Sequence, residues 1–161
     1  MTESPESSDL VRLKVHGVVP DPNTDTQIVI LRNAENSEIL PIWVGGAEGN
    51  AIKFAMGGIA APRPMSHDLI QSFTEHLAVK LSRVVITDVK NNTYYATIHL
   101  SVQGSEEEVD SRPSDAIALA LRTNSPIYAK EEVLRQRGGG SLDAWLEKLQ
   151  AKNSGKQEAP D

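Results

Sequence analysis

Between Val11 and Val19 apolar and polar positions alternate, with Val11, Leu13, Val15, Gly17 and Val19 on one side and Arg12, Lys14 and His16 on the other. A period of two matches the pleat of a half-buried strand. Asp21-Pro22-Asn23 turns the chain, and strands are predicted at Gln27–Arg32 and Glu38–Val44, joined as a hairpin by the polar run 33–37. The period then changes. After Gly45-Gly46, the residues Ala51, Ile52, Ala55 and Met56 share one helical face, which Gly57-Gly58 ends. The stretch 59–65, with Pro62 and Pro64, is a loop. Ser66 suits the N-cap of a second helix whose one side carries Leu69, Ile70, Phe73 and Leu77.

Strands at Leu81–Val89 and Thr93–Val102 flank Lys90-Asn91-Asn92, a composition suited to a tight hairpin. Glu106–Ser111 fits a short edge strand kept from aggregating by Glu106, Glu107 and Glu108. Pro113 opens a third helix bearing Ile117, Leu119, Ala120 and Leu121; a brief strand at Ile127–Ala129 and a short helix at Glu131–Arg137 follow. Strands in two groups of three, separated by a helix pair, favour a single α+β domain with a mixed, largely antiparallel sheet and packed helices. That domain is placed at about residues 10–137. Outside it, residues 1–9 and 151–161 are expected to be disordered tails, 138–141 a Gly-rich linker, and 142–150 a short amphipathic helix built on Leu142, Trp145, Leu146 and Leu149.

Composition narrows the function classes. The 161 residues contain no cysteine, which removes disulfides, thiolate chemistry and the usual sulfur ligands of zinc. There is no 18-residue apolar run, and the polar, acidic start MTESPESSDL lacks a secretory pattern, so a cytoplasmic protein without a membrane partner is expected. The net charge of −6 argues against a broad polyanion-binding face. Much of that excess lies in the tails, because residues 10–137 hold 13 basic and 15 acidic side chains. A local basic pocket remains compatible with that balance. Trp43 is predicted to be core. His16, His76 and His99 are expected at the surface or in packing roles, and exposed strand edges suggest a homo-oligomer.

Two helix starts share a pattern. Arg63-Pro64-Met65-Ser66-His67-Asp68 precedes one, and Arg112-Pro113-Ser114-Asp115 precedes the other. Free backbone N–H groups and the positive end of the helix dipole gather at such starts, so an added Arg can complete an anion pocket. Ser, Asp and Pro alone would be ordinary helix-start residues. The additional Arg in both motifs, and the titratable His67, point toward chemistry. Glu48, Asp68, Asp110 and Asp115 are nearby oxygen donors, and Mg²⁺ or Mn²⁺ needs only one or two carboxylates plus water and substrate phosphate.

These residues carry a resemblance. Leu40-Pro41-Ile42-Trp43-Val44-Gly45 with Glu48 and Ala51-Ile52, then Arg63-Pro64 with His67-Asp68-Leu69, then the run Asp110 to Ala120, resemble three ordered motifs of the bifunctional nuclease domain. Pro126-Ile127 and Val133-Leu134 follow in the same order. Gly49 stands where that family commonly has Ala, and Ser66 where Thr is usual. The resemblance implies DNase and RNase activity, and its polar positions fall on Glu48, Arg63, His67, Asp68, Asp110, Arg112, Ser114 and Asp115.

The resulting expectation is a nuclease with little sequence preference, assisted by a divalent metal. His67, Asp68, Arg112 and Asp115 are the catalytic candidates; Arg63, Ser66, Arg112 and Ser114 would bind phosphate; Glu48, Asp68 and Asp115 would hold the metal. A non-catalytic module that binds an anion, a nucleotide or a protein partner is the alternative. A third reading, a scaffold, would require both motif arginines, Arg63 and Arg112, to be buried and fully paired.

Overall fold

The computed structural model describes residues 9–136. Residues 1–8 of the expected N-terminal tail, and the linker, helix and tail expected over 138–161, lie outside the described residues. Seven strands form one mixed sheet: β1 (Leu10–Pro20), β2 (Gln27–Arg32), β3 (Ile39–Val44), β4 (Val79–Lys90), β5 (Thr93–Val102), β6 (Ser105–Ser111) and β7 (Ile127–Lys130). Among the described residues four helices accompany them: α1 (Gly46–Gly57), α2 (Ser66–His76), α3 (Pro113–Thr123) and α4 (Glu131–Gln136). The strand order is β3-β2-β1-β7-β4-β5-β6. Only β4 and β7 run parallel; every other neighbouring pair is antiparallel, so the α+β reading holds.

Local sequence explains the joints. Asn91 and Asn92 both adopt positive φ (52° and 62°), the pair of left-handed residues that a two-residue hairpin turn between β4 and β5 requires. Helix α1 ends on Gly58, whose φ of 63° carries no Cβ penalty. Pro113 occupies the first position of α3, where its missing N–H leaves no bond unmade.

The main core lies between the sheet and α3. Ile117, Ala118 and Ala120 are 0% exposed and join Leu13, Leu31, Leu40, Val84 and Ile98 in one cluster. Small residues in α3 let that helix lie close to β4 and β5 while α1 and α2 pack against it. Each fully buried Ile or Leu contributes about 1.5–3 kcal/mol relative to exposure. The position of α3 is therefore firmly fixed, and with it Arg112 at its N-cap and Asp115 in its first turn. Among the described residues no helix is long and apolar enough to cross a membrane.

Three expectations need correction. Trp43 is 51% exposed: Leu40, Ile42 and Val44 take the main-core side of β3, and on the opposite face the second apolar cluster of Ile28, Ile30 and Ile39 does not include Trp43, whose indole N–H donates to Asp21 Oδ2 at 2.8 Å. The apolar side of α2 also faces outward: Leu69, Phe73 and Leu77 are 52%, 60% and 70% exposed. Finally, the N-caps are Met65 and Arg112, with Ser66 and Pro113 already the first helical residues. Ser66 and Ser114 therefore do not cap. At α2 the service comes instead from Asp68, whose Oδ2 accepts the Met65 N–H at 2.9 Å.

Candidate functional site

A cleft of about 740 Å³ opens among α1, α2, α3 and the end of β6. Its polar lining comprises Glu48, Ser66, His67, Asp110, Ser111, Arg112 and Asp115; Ile70, Ile98, Val109 and Leu119 supply apolar wall. Each polar group arrives from a helix start or strand end. Gly45 allows Glu48 to fold back at the start of α1, since a Cβ on Gly45 would sit 2.2 Å from Glu48 Oε2.

Four side chains form a continuous relay. Glu48 Oε1 accepts from Arg112 Nη1 at 3.3 Å. Arg112 donates through Nε and Nη2 to the two oxygens of Asp115, at 2.9 and 3.2 Å. Asp115 Oδ1 lies 2.9 Å from His67 Nε2. An ionised carboxylate only accepts, so Asp115 fixes the imidazole tautomer with its proton on Nε2 and the lone pair on Nδ1. Nδ1 makes no hydrogen bond among the described residues. Arg112 has five N–H groups; among the described residues three are used, and two remain on a side chain that is 64% exposed.

The electrostatics follow from these contacts. Burial pushes the Asp115 carboxyl up, but the hydrogen bonds from Arg112 and His67 outweigh it and hold the pKa below the ordinary 3.8. Arg112 is raised, chiefly by its hydrogen bonds to Asp115, and stays cationic.

Asp68 has a different position. It is not among the residues lining the cleft. Its Oδ1 accepts from Arg122 Nε at 2.8 Å, and its pKa is lowered first by that bond and then by the Met65 amide. Arg122, 7% exposed, also donates to the Ala118 carbonyl at 3.0 Å, while Gln71 donates to the Arg122 carbonyl at 3.2 Å. This clamp fixes α2 across α3 and so fixes His67 over Asp115. Sequence reasoning missed Arg122. The available signal was its spacing of seven from Asp115, which places both on one face of α3, two turns apart.

The remaining candidates divide. Ser66 lines the cleft, whereas Ser114 is buried and does not. Arg63 is exposed in the loop before α2, outside the cleft lining, with no ion pair or hydrogen bond among the described residues. Arg112 is paired yet open and Arg63 is neither paired nor buried, so the scaffold requirement is not met. No three Asp, Glu or His side chains form a ready-made metal site among the described residues. Gly49 also finds its reason: a Cβ there would stand 2.7 Å from the Gln27 amide nitrogen, which donates to the Gly46 carbonyl and Asn50.

A family model described as the bifunctional nuclease domain matches residues 29–140. The chain belongs to the bifunctional nuclease domain family. It is 36% identical over 126 residues to an uncharacterized protein of Mycobacterium tuberculosis, covering 78% of this chain and 75% of that one. It is 30% identical over 114 residues to bifunctional nuclease 1 of Oryza sativa subsp. japonica, covering 68% of this chain and 34% of the rice protein. Bifunctional nuclease 2 of Arabidopsis thaliana is 24% identical over 131 residues, covering 80% and 40%. This bifunctional nuclease domain thus spans little more than a third of the plant proteins it resembles.

Proposed function

We propose that the chain hydrolyses phosphodiester bonds of DNA and RNA with little sequence preference, and that the cleft holding the relay is its active site. The observation that carries this reading is the His67–Asp115–Arg112–Glu48 chain, with one imidazole nitrogen free and two guanidinium N–H groups unspent. The names of the rice and Arabidopsis relatives support the reaction class.

In this reading Arg112 hydrogen-bonds the scissile phosphate through the N–H groups that Asp115 and Glu48 leave over. His67 Nδ1 takes the proton of the attacking water as its oxygen bonds to phosphorus, and Asp115 stabilises the imidazolium that forms. The opposite P–O bond breaks, its sugar oxygen leaving with a proton from solvent, while the imidazolium later returns its own proton to solvent. Charge balance bears on metal assistance. Glu48, Asp110 and Asp115 outnumber Arg112 in the cleft, and a phosphodiester adds one more negative charge. A Mg²⁺ or Mn²⁺ ion fits that acidic lining by charge and by its preference for oxygen. Glu48 and Asp110 would hold it; Asp68, engaged by Arg122 outside the cleft lining, would not. When bound, the ion would offset charge on the phosphoryl oxygens.

The test is cleavage of end-labelled single-stranded DNA and RNA by the purified chain, with Mg²⁺ and with EDTA. His67→Ala and Asp115→Ala should each lower the rate by about 10²-fold or more while the circular dichroism spectrum stays native. Undiminished cleavage by both variants would remove the cleft from the reaction. Saturable binding of a mononucleotide without any turnover would support the anion-binding alternative instead.

A further inference from the structure

The far side of the sheet carries a second pocket. Successive residues of a strand point to opposite faces. On β5 and β6, Ile98 and Val109 line the cleft, while their neighbours Thr97, His99 and Glu108 line a separate pocket of about 230 Å³. Cross-strand register sets Arg83, His99 and Glu108 in one row from β4 to β6. Lys130 reaches the same pocket from β7, and Val85, 3% exposed, gives it an apolar wall. The two linings share no residue.

The polar groups here are left over in a particular combination. Arg83 and Lys130 are half-buried cations with no hydrogen bond or ion pair among the described residues. The His99 side chain is 7% exposed, and its Nδ1 lies 3.1 Å from Glu106 Oε1. A carboxylate only accepts, so the neutral imidazole holds its proton on Nδ1 and keeps a lone pair on Nε2. That nitrogen makes no hydrogen bond among the described residues. Glu108 Oε1 stands 3.8 Å from Nδ1, too far for a hydrogen bond, so its carboxylate is a second open acceptor. The pocket thus offers two cations and two acceptors. A fully deprotonated anion would satisfy the cations and leave the acceptors facing its own oxygens; a metal cation would meet Arg83 and Lys130. An oxyanion that keeps a proton serves both sets.

We propose that this pocket binds inorganic phosphate. Its oxygens accept from the Arg83 guanidinium and the Lys130 ammonium, and its O–H donates to His99 Nε2 or Glu108. Inorganic phosphate retains an O–H at neutral pH and sulfate retains none. A phosphomonoester loses its last proton at about pH 6, so it too is disfavoured above neutrality. The volume lies below the roughly 300 Å³ at which pockets for organic ligands begin, which suits an ion rather than a nucleotide. The site does not depend on the reaction assigned to the cleft.

Calorimetric titration of the full chain with inorganic phosphate, at about pH 8 and constant ionic strength, tests this. The Arg112→Ala variant, whose cleft lacks its guanidinium, should still show one saturable site. Arg83→Gln and Lys130→Gln should each weaken that site by about tenfold or more. Sulfate and methyl phosphate should bind about tenfold more weakly than phosphate, because each leaves a buried acceptor unpaired. Glu108→Gln, which gives the pocket a donor, should shrink the preference over sulfate. Arg83 and Lys130 are part-exposed and the Glu108 side chain is 63% exposed, so circular dichroism should show the variants folded. Absence of saturable phosphate binding would overturn the proposal, as would sulfate binding as tightly as phosphate. So would binding that is lost in Arg112→Ala yet survives both Arg83→Gln and Lys130→Gln, which would move the ion to the cleft.

Discussion

The two ends of α3 each carry an arginine bonded through Nε to an aspartate, Arg112 to Asp115 at 2.9 Å and Arg122 to Asp68 at 2.8 Å. The aspartates are alike too, 32% and 37% exposed in their side chains, and both have lowered pKa values. What differs is the guanidinium. That of Arg122 is sealed at 7% exposure and also serves the Ala118 carbonyl; that of Arg112 is 64% exposed and keeps N–H groups toward a cleft. Similar bond lengths and titration shifts in the same direction therefore do not separate a sealed pair from one that keeps donors to spare. Burial of the cation does.

The sharpest way to break this contrast is to remove each arginine. Arg112→Ala should lower phosphodiester cleavage by about 10²–10³-fold, while the urea midpoint barely moves, since exposed pairs contribute little to stability. Arg122→Ala should do the reverse, costing about 2 kcal/mol in urea unfolding because a buried charge-assisted network is lost, with a smaller loss of rate per folded molecule. Equal effects of the two substitutions on both measurements would erase the distinction.

Acid should reveal what the pairs share. Both aspartates have folded pKa values below the unfolded value of about 3.9. Their contribution to stability is therefore complete above that value and is lost as pH falls through the folded values. Urea midpoints should hold steady from pH 7 to about 5 and fall below about 4; replacing both by Asn should flatten that fall. The smallest effect is expected of Gly45→Ala. Its Cβ would displace the Glu48 carboxylate, a flexible group, so the cost should stay under about 1 kcal/mol in melting experiments. Cleavage should decline by less than about tenfold, because the flexible Glu48 carboxylate can shift within the cleft without being removed from it.

The sheet was legible wherever a local rule governed it. Alternation from Val11 to Val15 and the paired Asn91-Asn92 marked a strand and a turn that depend on neighbouring residues alone. The register shift between Val15 and Gly17, which turns Val18 to the main core and Val19 to the second cluster, was not foreseen. The outward turn of α2 was not legible. Leu69, Phe73 and Leu77 look like any core-facing stripe, and only the polar ties of His67, Asp68 and Gln71 to α3, made across about fifty residues of sequence, decide which side faces in. For the same reason the two Arg-led helix starts suggested one shared pocket. Their side chains go separate ways: Arg112 and His67 meet through Asp115, while Asp68 goes to Arg122 and Arg63 to neither.

Strand β7 has four residues, comes last of the seven, and sits between β1 and β4. The three strands on one side of it and the three on the other can each zip up as hairpins while the chain is still being made. They cannot join until residues 127–130 leave the ribosome, because both inner edges wait for that one short insert. Any pause or premature stop in translation before Ile127 therefore releases two half-sheets with open edges, which are sticky to each other and to their neighbours.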